Sequence, residues 1–212
     1  MNLKRRFLGS FLGLAAIANL TSCLDSNLSV VSDIQQDFSG ITEVSVQGSF
    51  LDVNYTGEAG RTELSLDAQL KANSNSKYSI DYRVDGSKLI VEVNSKGGGL
   101  GRLRAEGYIR LTGPKTMEMA LEAGSGNISA NNVVANNPSY KVGSGNIQIN
   151  RISGQAIALN ASSGNISGQE LAGKVDLAIS SGNVTLQQVD GNVEAHGSSG
   201  KIKLTDINGL VN

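Results

Sequence analysis

Few residues in this chain have the chemistry for catalysis or metal binding. His196 is the single histidine and Cys23 the single cysteine, so the set of nitrogen and sulfur ligands that a zinc site draws on cannot be assembled. Serine precedes glycine at five regular positions, Ser125, Ser144, Ser163, Ser181 and Ser199. Five equivalent serines describe a geometry, not one nucleophile. A Ser-His-acid centre would need His196 brought uniquely beside one of them, and a solvent-facing histidine is the expectation. Asp176, Asp190, Glu194 and Asp206 are scattered, without the paired spacing of a glycosidase. Lys96, Arg102 and Arg104 surround Gly97, Gly98, Gly99 and Gly101, but the stretch follows neither phosphate-cradling glycine motif. The residues predict no catalytic group, no cofactor and no metal.

A binding role needs less chemistry. Aromatic rings are the usual carbohydrate platform, and Tyr55, Tyr78, Tyr82 and Tyr108 all lie ahead of the Ser-Gly-Asn stretch. With Arg102 and Arg104 they make up the candidate binding surface. A core role for each ring is the competing expectation.

The element that must position these groups is a repeat. Gly126, Gly145, Gly164, Gly182 and Gly200 follow the five serines at spacings of 19, 19, 18 and 18 residues. Asn127, Asn146, Asn165 and Asn183 come next, with Lys201 in the fifth copy. Two residues beyond each glycine stand Ile128, Ile147, Ile166, Val184 and Ile202; seven beyond stand Val133, Ile152, Leu171, Val189 and Ile207. A period near 20 residues signals a solenoid, and alternation such as Val175-Asp176-Leu177-Ala178-Ile179 signals strands, not helices. Hexapeptide helices are excluded because the internal glycine spacing is mostly nine, and calcium-binding nonapeptides because no acidic ladder follows the glycines. The expected fold is all-β: a right-handed parallel β-helix with coils of about 18–19 residues and a looser β-rich N-terminal half. Ser125-Gly126-Asn127 and its copies should stack at one corner, where Gly and Asn accept positive φ.

Residues 1–22 read as a lipoprotein signal peptide. Lys4, Arg5 and Arg6 precede an apolar stretch from Phe7 to Leu20 that is short for a spanning helix. Leu20-Thr21-Ser22-Cys23 resembles a bacterial lipobox, which makes Cys23 the expected lipidation site and the membrane the expected partner. Removing Lys4, Arg5 and Arg6 from 18 basic residues leaves 15 against 19 acidic ones. An acidic domain carries no nucleic-acid footprint. Residues 23–36 are expected as a lipid-anchored tether, and 37–212 as a single elongated domain, with irregular strands over 37–120 and regular coils over 121–212. Within it, Asp85-Gly86-Ser87 marks a hairpin, and Ser95 to Glu106 a long loop.

The opening from Asp37 to Val46, the run Phe50 to Tyr55, the Asp85-Gly86 turn and the Gly-Ser-Gly-Asn-Ile coils together resemble the head GIN domain family. Its members are described as candidate auto-transporter adhesins, common among lipoproteins of Bacteroidota. The resemblance implies a β-helical fold and an envelope location, and brings no catalytic residue. The expected function is that of a non-enzymatic, lipid-anchored envelope protein, an adhesin presenting a solenoid surface to a protein or glycan ligand. A periplasm-facing structural or signalling module is the alternative, and a polysaccharide-acting enzyme the minor one. The outer membrane is the expected address, because Leu24 stands where an aspartate would favour inner-membrane retention; the leaflet stays open. The last residues suggest an open coil end, and hence an end-to-end homo-oligomer.

Overall fold

The computed structural model describes residues 28–73, 78–95 and 104–212. The signal segment, Cys23, Arg102 and most of the glycine-rich loop lie outside the described residues. The described chain is all strand and turn. Its first half contributes β1 (Ser29–Ser39), β2 (Glu43–Gln47), β3 (Asp52–Glu58), β4 (Glu63–Ala72), β5 (Tyr78–Asp85), β6 (Lys88–Ser95) and β7 (Ala105–Pro114). The repeats contribute β8 (Glu118–Ala123), β9 (Ile128–Val134), β10 (Ser139–Val142), β11 (Ile147–Ser163), β12 (Ile166–Ser181), β13 (Val184–Asp190), β14 (Val193–Ser199) and β15 (Ile202–Asn208).

These strands stack as two parallel ladders. One runs β6, β2, β8, β10, the second half of β11, the second half of β12, then β14. The other runs β7, β3, β9, the first half of β11, the first half of β12, β13, then β15. The registers repeat the sequence spacing: Ile128 faces Ile147, then Ile166, Val184 and Ile202. Isoleucine, valine and leucine at these inward positions form continuous apolar columns. Ile109, Val53, Ile128, Ile147, Ile166 and Val184 are all at most 1% exposed. Burying each such side chain contributes about 1.5–3 kcal/mol, so the columns drive the stacking.

The first half is less irregular than its sequence suggests. β2–β3 and β6–β7 are two more layers of the same stack, laid down out of order. β2–β3 lies between β6–β7 and β8–β9. The remaining strands pair antiparallel: β5 on β6, β4 on β7, and β1 on β4. They close one end of the stack, making the sheet mixed where a parallel β-helix with a looser β-rich N-terminal half was expected. The β5–β6 pair is the hairpin anticipated at Asp85-Gly86, with Asp85 opposite Lys88.

Residues 29–36, expected as tether, are strand. β1 pairs with β4 from Ser29–Ala72 to Ser39–Glu63, and Ile34 and Phe38 pack against the core. Strand pairing satisfies the backbone groups of a segment whose side chains are mostly exposed.

Candidate functional site

The Ser-Gly-Asn corner is a hydrogen-bonded spine. Asn183 donates its backbone N–H and its side-chain amide to Asn165 Oδ1, Asn165 likewise to Asn146, and Asn146 to Asn127. Asn127 donates both groups to Asp52 Oδ1, at 2.8 and 3.0 Å. The asparagines are therefore linkers; none takes positive φ. That conformation falls to Gly164, Gly182 and Gly200, with φ of 144°, 129° and 122°. Glycine is required for space as well. A Cβ on Gly145, Gly164 or Gly182 would lie 1.8–1.9 Å from the carbonyl oxygen of the glycine one layer away. Lys201, in the last layer, is exposed.

A second column escaped the sequence reading. Asn132, Arg151, Glu170, Gln188 and Asp206 all take φ of 53–59°, one per coil. The signal was present: inward residues Ile147 and Ile149 are followed by inward Ile152, a gap of three that strict alternation cannot supply. One left-handed residue turns the strand and restores the inward face.

The outer face of the first ladder carries a polar cluster. β10, β11, β12 and β14 align Lys141 with Asn160, and Ala178 with His196. Small side chains, Ala178, Ser162 and Ser180, floor a shallow trough of about 790 Å³ that Lys141 and His196 flank. Ala158, Lys174, Asp176 and Glu194 line an adjoining hollow of about 310 Å³. The charges around both are mutually committed. Lys174 Nζ lies 2.6 Å from Asp176 and 2.9 Å from Glu194. Lys141 Nζ lies 3.0 Å from Glu122, and His196 Nε2 lies 3.4 Å from Glu194. Hydrogen bonds to Asp176 and then Glu194 hold the Lys174 ammonium well above the usual lysine range. Lys174, and secondarily His196, pull the Glu194 carboxyl below the usual carboxylate range. Exposed pairs of this kind add little stability; they fix side-chain positions along the trough. Among the described residues, no group of three or more His, Cys, Asp or Glu could hold a metal ion.

The tyrosines expected to share a surface are dispersed. Tyr55 is only 1% exposed, with its hydroxyl donating to Pro114 O at 2.7 Å. It is a core residue, and its assignment to a binding surface is corrected. Tyr78 stands edge-on to Phe50, and Tyr82 edge-on to Phe38. Tyr108 donates to Asp67 and lies under the Arg110 guanidinium; burial, then Asp67, raises its phenol. The Arg104 backbone N–H is hydrogen-bonded to Asn73 Oδ1.

No curated protein matches the chain in sequence. Among solved structures, the chain is similar to a candidate cell adhesion protein from Clostridium sporogenes at 10% identity, covering 82% of this chain and 99% of that one, with a TM-score of 0.30. A candidate adhesin from Bacteroides fragilis is similar at 13% identity, covering 85% and 95%, with a TM-score of 0.34. A candidate lipid-binding protein from Parabacteroides distasonis is similar at 14% identity, covering 86% and 97%, with a TM-score of 0.31. At this level of similarity the names carry no function across. The sequence profile of Toastrack DUF4097 matches residues 41–209, and this overturns the resemblance to the head GIN domain family. The motifs behind that resemblance are coil corners. Their Gly and Asn are demanded by backbone approach and corner bonding, so they mark a stacked coil more than one lineage.

Proposed function

The chain belongs to the Toastrack DUF4097 family, and we propose that it is a non-catalytic envelope protein presenting the trough on its first ladder to a polar protein or glycan ligand. The observation that carries this reading is the trough itself. It is an open face of small side chains crossing four strands, with Asn160, Ser162 and Ser180 offering amide and hydroxyl groups. Its cations are already engaged by carboxylates, which favours recognition by shape and hydrogen bonding over transfer chemistry. Following the strong default for parallel connections, we take the coils to wind right-handed. The lipobox at Leu20-Thr21-Ser22-Cys23 supports an acyl anchor on Cys23, and Leu24 supports the outer membrane.

Protease shaving of intact cells tests the address, with a periplasmic protein as control. Loss of this protein while the control survives supports surface display. Protection in whole cells, with digestion once the outer membrane is permeabilised, would replace it with the periplasmic reading. Glycan and matrix-protein arrays test the binding role. Ala178 points outward from the trough floor, so Ala178→Trp should abolish array binding while leaving thermal unfolding unchanged. Binding that survives this substitution would move the site elsewhere.

A further inference from the structure

Large apolar side chains exposed among the described residues fall at the two ends of the stack. Ile202, Leu210 and Val211 belong to the last coil and the segment after it. The other four are Val30, Val31, Tyr82 and Val84, at 52%, 44%, 42% and 48% exposure, on β1 and β5, two of the three strands that close the opposite end. β1 and β5 meet there: Ile80 N–H donates to Ser32 Oγ at 3.2 Å, and the Phe38 and Tyr82 rings stand edge-on at 5.6 Å. Val31 lies at a register shift between Val30 and Ser32, where an extra residue is left out of the ladder.

We propose that this capped end is a membrane-contact surface, seated on the headgroup boundary of the bilayer that holds the acylated Cys23. The inference rests on the lipid-anchor reading above. Ser29 opens the outermost strand, six residues after Cys23, and so few residues span at most ~20 Å even fully extended. Seven layers at ~4.8 Å put the last described coil on the order of 30 Å farther out. The anchor therefore holds the cap against the bilayer and the last coil away from it. Lying flat would strip water from the ion pairs of Lys141 and Lys174, which is costly, and among the described residues the side walls expose no large apolar side chain in return. A tyrosine with an apolar ring and a polar tip suits the boundary region. Asp33, Asp37, Asp81 and Asp85 share the cap strands with Arg83, and Arg83 is paired with Glu92. That acidic balance selects a zwitterionic surface over an anionic one.

The chain contains no tryptophan, so single Trp reporters read depth directly. Full-length protein isolated from envelopes would be reconstituted in phosphatidylcholine vesicles containing acyl-brominated lipid. Tyr82→Trp should shift to the blue and lose emission, with Val84→Trp as the second reporter. Lys203→Trp, on the distal coil, should be unaffected. Replacing part of the lipid with phosphatidylglycerol should weaken the Tyr82→Trp response. Metabolic labelling with palmitate, lost in Cys23→Ser, monitors the anchor separately. No label in the unsubstituted protein would sink the anchor reading and this one with it. Label with unquenched cap reporters, or with Lys203→Trp quenched equally, would overturn the membrane contact alone.

Discussion

Two buried phenols set an alkaline limit on this fold. Burial raises Tyr55 and, more strongly, Tyr140 above the ordinary tyrosine value of 10.0. Tyr140 is sealed inside the columns, with its hydroxyl on Met119 Sδ at 3.4 Å. In the unfolded chain both ionise near 10, while the folded chain keeps its protons. Stability is then intact below that value and falls as pH rises above it, by up to about 1.4 kcal/mol per pH unit for each tyrosine. Denaturant midpoints measured from pH 8 to 12 should show that decline, and Tyr140→Phe should shallow it. Phenolate absorbance for both residues appearing near pH 10 with the fold intact would contradict the argument. Glycine makes an equally local demand. At Gly164 a Cβ would meet the Gly145 carbonyl oxygen at 1.9 Å, whereas at Gly86 it meets nothing within 4 Å. Gly164→Ala must move backbone and should cost at least about 3 kcal/mol, while Gly86→Ala costs about 1–2 kcal/mol for its positive φ alone. Equal losses in thermal unfolding would remove the close-packing explanation.

At the scale of the element, the asparagine spine links successive coils and ends on a carboxylate outside the repeat. Every amide in it points the same way, from Asn183 toward Asp52, so each bond polarises the next. Asp52→Ala leaves two donors of Asn127 without their acceptor at an exposed corner. It should cost about 1 kcal/mol, and Asp52→Asn, which keeps one acceptor oxygen, clearly less. Equal effects from the two variants in urea titrations would show that Asp52 matters for something else. Asp52 also shows where the sequence stopped being legible. The coils from 121 onward were readable because Ile128, Val133 and their copies recur in fixed register. β2–β3 and β6–β7 build the same columns from Val46, Val53, Val91 and Ile109, but they enter the stack out of order, separated by the antiparallel β4 and β5. No period connects them. Residues 29–36 of β1 read as tether because Ile34 alone among them packs against the core, too little to alternate visibly. The trough had no motif at all: Lys174, Asp176, Glu194 and His196 meet only through the register of β12 on β14.

For the whole molecule, a stack capped by antiparallel strands at one end and exposing its last described coil at the other should not be uniformly stable. Each layer touches only its neighbours, so an end layer lacks half of the contacts that hold a central one. The apolar column shows the difference within one residue type. Ile147 is 1% exposed between Ile128 and Ile166, whereas Ile202, in the same column, is 39% exposed. Truncating a buried isoleucine to alanine costs about 2–5 kcal/mol, and a partly exposed one proportionally less. Ile147→Ala should therefore cost about 3 kcal/mol or more, and Ile202→Ala about 1 kcal/mol. Amide exchange should follow the same gradient, with β15 opening well before β11 and without global unfolding. The two measurements check each other. A costly Ile202→Ala together with slow exchange in β15 would mean that the last coil is covered in solution, as an end-to-end pair of copies would cover it. In that case the cost should fall on dilution, because a contact between copies weakens by mass action while one within a chain does not.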